Sequence, residues 1–109
     1  MARYLVLFVA DPADDGHADA LRDVARRVPG AGFFDDSMAG EERTVGTYLR
    51  LDEAGPNLAR ALVGHVAEVS EALAARMEVQ LDEQVLGHLV DGVPDPAAAR
   101  AREEAFGRD

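Results

Sequence analysis

The sequence predicts an α+β fold, and three observations lead to it. Two stretches have the three- and four-residue apolar spacing of amphipathic helices, and each follows a strand pattern across a turn that contains an acidic residue and a proline. Each is also followed by a further strand pattern, and a turn separates the two units. The resulting order βαββαβ is that of the ferredoxin-like fold, in which right-handed crossovers place both helices on one face of a four-stranded antiparallel sheet.

The first strand is expected to lie in the middle of the sheet. Residues Arg3–Ala10 form an almost uninterrupted apolar run that stops at Asp11-Pro12. A strand that is apolar at every position, rather than at alternate positions, has to be covered on both faces. The two helices would cover one face only, so the other face needs a different cover.

The second face of this strand predicts a homodimer. That face would carry Tyr4, Val6 and Phe8, or their alternates, with Tyr48 of the third strand alongside. Such an apolar and aromatic surface is too large to leave in water. Sheet-to-sheet pairing of two copies related by a two-fold axis, the commonest symmetry of small homo-oligomers, would cover it.

Both predicted helices are amphipathic. The first extends from about His17 to Val28, with acids early and arginines late, as the helix dipole favours, and Pro29-Gly30 ends it. The second, roughly Pro56 to Arg76, is the longest element. Its apolar stripe consists of Leu58, Leu62, Val66, Val69, Leu73 and Met77.

Three further strands complete the predicted sheet. Gly32-Phe33-Phe34 begins a short second strand, and Met38–Glu42 is predicted to be a hairpin turn into the third, Arg43–Asp52, where inward and mixed positions alternate. Met77–Asp82 alternates again as the fourth strand. The segment Val85–Val90 is too short for its pattern to separate a strand from a helical turn, and an extended continuation of the fourth strand is favoured.

The chain has room for one domain with one core. Residues 1–92 are assigned to the ferredoxin-like domain, and residues 93–109 to a short C-terminal helical extension or tail that is either mobile or docked on a neighbour. Asp95-Pro96 supplies an N-cap and a first-turn proline for this helix, which is predicted over Ala97–Phe106.

The composition excludes several kinds of chemistry. The 109 residues include no cysteine and no lysine, so disulfides, thiolate nucleophiles, iron–sulfur clusters, Schiff bases and a P-loop lysine are excluded. A net charge of −10 supplies no basic footprint for nucleic acid and disfavours binding to an anionic membrane. No apolar stretch approaches the ~20 residues that span a bilayer, and no signal pattern is present, so a cytoplasmic protein is expected.

His17 is the best single candidate for chemistry. It falls where the first helix starts, beside Asp14 and Asp15 and near the C-terminal end of the central strand. A carboxylate there could orient the imidazole as a general acid or base. The competing interpretation is a partly exposed histidine in the first turn, among acids that cap the helix.

The sequence predicts neither a metal site nor a cofactor. His65 and Glu68 have a spacing that could hold a metal, but a closed site needs three or four ligands. The acids between Asp11 and Asp15 lack the spacing of a calcium loop, and helix capping explains them. His88 follows a glycine, and its apolar neighbours indicate packing or an interface rather than catalysis.

Three groups of residues carry a resemblance to a known family. They are Tyr4–Phe8 with Asp11-Pro12, the helix-starting His17, and Glu78–Leu81 followed by Val85-Leu86-Gly87. In these strings the chain resembles the dimeric α/β-barrel superfamily, and within it the YCII-related proteins. The resemblance implies a ferredoxin-like domain that dimerises through its sheet and carries a histidine–aspartate pair at a pocket, with His17 as the histidine and Asp35 or Asp36 as the aspartate. The acidic–proline segment usual in the family's second helix region is absent.

Two functional hypotheses follow. The leading one is a homodimer with a small pocket between sheet and helices that binds or transforms a small apolar or aromatic metabolite without a cofactor, with His17, Asp15 and Asp36 as its catalytic residues. The alternative is a non-catalytic acidic interaction or regulatory protein, such as a nucleic-acid mimic that blocks a basic partner surface. The acidic composition and the lack of a strong catalytic motif favour this alternative.

Overall fold

The computed structural model describes residues 3–36, 43–82, 84–96 and 99–100. It confirms the α+β class: two helices pack against one antiparallel sheet. The sheet has six strands in the described part of the chain, in the order β2-β3-β1-β4-β5-β6, where the sequence predicts four. The elements in chain order are β1 (Tyr4–Val9), α1 (Asp15–Arg27), β2 (Gly32–Asp36), β3 (Thr44–Arg50), α2 (Leu51–Leu73), β4 (Met77–Leu81), β5 (Gln84–Val90) and β6 (Val93–Pro94).

The strand count differs because the chain reverses after β4. Val85–Val90 is extended, as predicted. The prediction that it continues the fourth strand is wrong, because the chain turns back and this segment pairs antiparallel with β4 as β5. Asp82, at the turn, has a φ of 51°, in the left-handed region that aspartate tolerates better than most residues. A second reversal, at Asp91 (φ 51°) and Gly92 (φ 81°), adds β6.

β1 is the central strand that the apolar run predicts. It pairs with β3 on one side and with β4 on the other. Leu5, Leu7 and Val9 point into the core beneath the helices, and the first two are fully buried. Their neighbours there include Leu49 of β3, Val79 and Met77 of β4, Leu21 of α1, and Leu62 and Val66 of α2.

Both helices begin and end at identifiable signals. Asp14 is the N-cap of α1, which starts two residues before the predicted position. Gly55, with a φ of 81°, interrupts α2, so its main part begins at Pro56 as predicted. α2 ends at Leu73 because Ala74 adopts the left-handed conformation. The predicted helix was therefore too long at its C-terminal end, and Met77 belongs to β4.

Ser70 joins the end of α2 to the sheet. Its buried hydroxyl donates to the carbonyl oxygen of Ala75 at 2.6 Å and accepts from the backbone N–H of Gly92 at 3.1 Å. A Cβ atom at Gly92 would lie 2.9 Å from the carbonyl oxygen of Ala67. The turn between β5 and β6 is thus held closely against the helix layer.

Two sequence predictions concern segments that lie wholly or mostly outside the described residues. The hairpin turn at Met38–Glu42 lies outside the described residues. Pro96 and residues 99–100 are helical, and the rest of the helix predicted over Ala97–Phe106 also lies outside them. Neither of the two described helices combines the length and the apolar character needed to cross a membrane.

Candidate functional site

His17, the leading sequence candidate, forms a capping box at the start of α1. Its Nδ1 accepts the backbone N–H of Asp14 at 3.1 Å, and Asp14 Oδ1 accepts the backbone N–H of His17 at 3.0 Å. That second hydrogen bond holds the pKa of the Asp14 carboxyl below its ordinary value. Because Nδ1 is an acceptor here, the neutral ring carries its proton on Nε2. The capping interpretation therefore accounts for the position of His17, and its catalytic role stays a prediction.

Arg43 forms ion pairs with Asp15 and Asp35, two of the acidic residues that the sequence analysis names as candidates. Its guanidinium contacts both oxygens of Asp35, at 3.0 and 2.7 Å, and Asp15 Oδ1 at 2.7 Å. Hydrogen bonding from Arg43 lowers the pKa of Asp35, and the two carboxylates raise the pKa of Arg43. Asp36 is exposed, and strand alternation points it to the opposite face of β2 from Asp35. The structure thus brings Asp15 and Asp35 together, and turns Asp36 away from the face that α1 covers.

The sheet face directed away from the helices, here called the outer face, carries an aromatic half. Phe8 pairs with Gly46, and Val6 pairs with Tyr48. A Cβ atom at Gly46 would lie 2.6 Å from Phe34 Cζ, so the Phe34 ring lies over that glycine. The Tyr48 ring likewise lies over a glycine of β2 and meets the Tyr4 ring edge-to-face, with centroids 6.5 Å apart. The aromatic half comprises Tyr4, Val6, Phe8, Phe34 and Tyr48.

The other side of the outer face is a polar half, which comprises Glu78, Gln80, His88 and Asp95. Gln80 Nε2 donates to Glu78 Oε2 at 2.6 Å, and Glu78 Oε1 lies 3.5 Å from His88 Nε2. On the other side of the imidazole, Asp95 Oδ2 lies 3.7 Å from Nδ1 and accepts the backbone N–H of His88 at 3.1 Å. The His88 ring is therefore flanked by two carboxylates.

The two halves meet at Phe8 and Glu78. These residues are cross-strand partners on β1 and β4, and His88 is the partner of Glu78 on β5. Side chains in such positions have Cβ atoms about 5 Å apart. An aromatic platform thus borders Glu78, and the histidine that two carboxylates flank lies one strand beyond it. This arrangement is suited to acid–base chemistry or to hydrogen bonding with a bound molecule.

The polar half does not have the geometry of a metal site. Its two carboxylates approach opposite nitrogens of the same imidazole, so they do not converge on one point. Across the described residues, no group of three or more histidine and acidic side chains is placed to hold a metal ion.

A concave region lies between the helices. It is a cleft of about 230 Å³ lined by Ala20, Asp23, Val24, Arg27, His65, Glu68, Val69 and Ala72. The possible metal pair is here: His65 Nδ1 lies 3.9 Å from Glu68 Oε2, too far for a hydrogen bond. Arg27 pairs with Asp23 at 2.9 Å on the other wall. The cleft lies on the helix layer, on the far side of the sheet from the outer face.

Sequence reasoning missed the polar half because it assigned His88 to packing or an interface rather than to a site with polar partners. The available signal was the alternation of β4, which turns Glu78 and Gln80 away from the core side of that strand. A hairpin between β4 and β5 would then have placed His88 beside Glu78. Comparison with known protein families, curated proteins and solved structures finds no match for this chain.

Proposed function

We propose that the chain forms a two-fold homodimer through the outer face and binds or transforms a small apolar or aromatic metabolite there, without a cofactor. The proposal rests mainly on one observation: the aromatic half and the polar half meet at Phe8 and Glu78. Aromatic rings supply apolar contact area, and a few polar groups beside them orient a ligand.

The exposure of the aromatic half supports dimerisation. Tyr4 and Tyr48 are 42% and 39% exposed, although they stand on a largely apolar sheet face. Val85 and Val90 of β5 are about half exposed as well, at 54% and 48%. At ~25 cal/mol per Å², covering a few hundred Å² of such surface contributes several kcal/mol. A second copy, presenting the same self-complementary patch, is the partner that this proposal names.

The proposal includes the ferredoxin-like fold and the resemblance to YCII-related proteins. The order β2-β3-β1-β4 within the sheet, with α1 and α2 on one face, supports the ferredoxin-like arrangement. β5 and β6 then extend the sheet beyond its four-stranded unit. The extension supplies His88 and leads into Asp95, so the polar half depends on it.

His88 takes the acid–base role in this proposal. It is the cross-strand partner of Glu78, which borders the aromatic half, whereas Nδ1 of His17 is occupied by the cap of α1. A neutral imidazole has one unprotonated nitrogen, which can accept a proton or a hydrogen bond from a ligand. A ligand that lies on Phe8 and extends across Glu78 would reach this ring.

The dimer is tested by sedimentation of the protein and of two variants. Tyr48→Glu places a charge in the aromatic half, and Leu73→Glu places one on α2 at a side chain of similar exposure, 41%. We expect a dimer for the unchanged protein and for Leu73→Glu, and a monomer for Tyr48→Glu. A monomer in all three cases would contradict the dimer.

The ligand site is tested by ligand-observed NMR with a library of small aromatic compounds. We expect hits whose binding is weakened by His88→Ala and by Tyr48→Glu but not by Leu73→Glu. A library without any hit would contradict the binding site, and recovery of a specific basic protein partner would instead favour the acidic interaction protein.

A further inference from the structure

We infer that the cleft between α1 and α2 binds a small neutral molecule with an apolar ring and one hydroxyl group, and that His65 accepts the hydrogen bond of this hydroxyl. The cleft lies on the helix layer, so this site is separate from the outer face and does not depend on the proposed function. The inference rests on two observations: the shape of the cleft, and the different surroundings of the two ring nitrogens of His65.

One face of each helix forms the cleft. Each helix contributes four lining residues with the spacing i, i+3, i+4 and i+7, which places side chains on one side of a helix. The apolar part of the lining consists of Ala20 and Val24 on α1 and of Val69 and Ala72 on α2. The volume of about 230 Å³ is smaller than the ~300–1,000 Å³ of pockets for drug-sized ligands. The cleft therefore suits a ligand with a single ring.

The two nitrogens of the His65 ring have different surroundings. Nδ1 is buried and has no hydrogen-bond partner among the described residues, and Glu68 Oε2 lies 3.9 Å from it. The side chain as a whole is nevertheless 33% exposed. Nε2 is not buried in the way that Nδ1 is, so the exposed edge of the ring, which lines the cleft, carries Nε2.

The carboxylate of Glu68 determines which nitrogen of His65 carries the proton. A neutral imidazole has an N–H on one nitrogen and a lone pair on the other. An N–H at Nδ1 is attracted by the negative charge of Glu68, whereas a lone pair there would be repelled. The neutral ring is therefore protonated on Nδ1, and Nε2 is an acceptor that faces the cleft. His17 is the opposite case, because its Nδ1 is the acceptor.

The charged side chains of the cleft favour a neutral ligand. The guanidinium of Arg27 already pairs with Asp23 at 2.9 Å, so an anionic ligand would have to compete with a carboxylate. The side chain of Glu68 is 74% exposed, and an ion pair of a ligand cation with such a group contributes little. A hydrogen bond to Nε2 of His65 needs only a donor, and a hydroxyl group supplies one.

Phenol is a small member of this class, and three probes test the inference. Phenol, anisole and benzoate are titrated into the full-length protein at pH 8, where imidazole side chains are ordinarily neutral. Anisole keeps the ring and the oxygen but has no donor, and benzoate adds a negative charge. We expect phenol to bind about 2- to 10-fold more tightly than anisole, as a neutral hydrogen bond implies, and benzoate to bind most weakly. Phenol should perturb the amide resonances of Ala20 and Ala72.

His65→Leu removes the acceptor and keeps an apolar side chain. It should lower the affinity for phenol to that for anisole and leave the affinity for anisole unchanged. Ala72→Leu fills the cleft from an exposed position of α2 and should abolish the binding of both probes. Ala61→Leu is the matched control at an exposed position one turn beyond the cleft, where a helical side chain points away from His65. It should change neither affinity.

The nitrogen NMR shifts of the His65 ring at pH 8 report the tautomer directly. We expect the proton on Nδ1, and a proton on Nε2 would overturn the inference. Equal affinities for phenol and anisole, a phenol affinity unchanged in His65→Leu, or tighter binding of benzoate would overturn it as well. Perturbation of Phe8 and Tyr48 alone would overturn the cleft site while supporting the outer face, so the two sites are tested separately.

Discussion

Glu78 and His88 face each other across β4 and β5, with Oε1 of the carboxylate 3.5 Å from Nε2 of the imidazole. Asp95 approaches the ring from its other nitrogen. The position and surroundings of the His88 ring therefore depend on three parts of the chain: β4, β5 and the residues after β6. Changes at any of these should be measurable at His88.

Replacing Asp95 with alanine is expected to loosen the backbone at His88. The Asp95 carboxylate accepts the backbone N–H of His88 at 3.1 Å, and the Asp95 N–H donates to the His88 carbonyl at 2.9 Å. Removing the carboxylate deprives one amide of its acceptor, so its hydrogen exchange should accelerate roughly 2- to 10-fold. Asp95→Asn keeps an oxygen acceptor and should exchange nearly as slowly as the unchanged protein. Identical rates in all three proteins would show that the side chain does not hold β5.

Two substitutions at His17 separate its capping role from a catalytic one. His17→Ala removes the acceptor of the Asp14 N–H and should lower the free energy of unfolding by about 0.5–1.5 kcal/mol, the usual net value of a hydrogen bond. His17→Gln retains an acceptor at the position where capping boxes favour it, so its stability in urea should stay close to that of the unchanged protein. If His17 were a catalytic acid–base group, the glutamine variant would be stable but inactive.

The decrease in the free energy of unfolding at acid pH should depend on Asp35. Arg43 holds the folded-state pKa of this carboxyl below its ordinary value of 3.8. As the pH falls, the unfolded chain therefore takes up the proton first. The stabilisation is complete above about pH 5 and is lost as the pH falls towards the folded-state pKa.

Asp35→Asn removes this effect, so its urea midpoint should fall less steeply between pH 5 and pH 3. Asp36→Asn is the matched control, because it changes the next residue, which is exposed on the other side of β2. The control should follow the unchanged protein. If the urea midpoints of the unchanged protein and of Asp35→Asn fell equally steeply with pH, the ion pair between Arg43 and Asp35 would not contribute to stability at acid pH.

Ser70→Ala is expected to destabilise the protein by about 1–3 kcal/mol, the cost of leaving a buried polar partner unsatisfied. The hydroxyl is fully buried and serves both the Ala75 carbonyl and the Gly92 N–H. Ala61→Ser exchanges the same two residue types at an exposed position of α2 and should cost no more than about 0.5 kcal/mol. Alanine favours a helix more than serine does, so helix propensity cannot explain a loss in Ser70→Ala. A loss no larger than that of Ala61→Ser would show that the buried hydroxyl contributes little.

The central position of β1 could be predicted from sequence because its signal is local. Every residue from Leu5 to Val9 is apolar, and only a strand covered on both faces requires that pattern. Alternation also divides the side chains of β1 into two sets, and the structure turns Leu5 and Leu7 towards the helices and Val6 and Phe8 outward. A structural feature that depends only on residues close together in the chain can be predicted from a single sequence.

The number of strands and the polar half could not be predicted in this way. Whether Val85–Val90 extends β4 or returns beside it depends on the backbone conformation near Asp82, and both alternatives have the same apolar pattern. A register shift between Val79 and Gln80 then determines the partner of each β5 residue. The contact of Arg43 with Asp15, 28 positions away, likewise depends on how far a long side chain reaches in the folded chain.

The position of β1 between β3 and β4 also bears on how the protein is made. β1 is synthesised before both of its neighbours, and β4 is completed only at Leu81. Until that residue has emerged from the ribosome, a strongly apolar strand has at least one unpaired edge, which can pair with another nascent chain. The yield of native protein should therefore depend on translation rate and on chaperones that hold the N-terminal segment until β4 arrives.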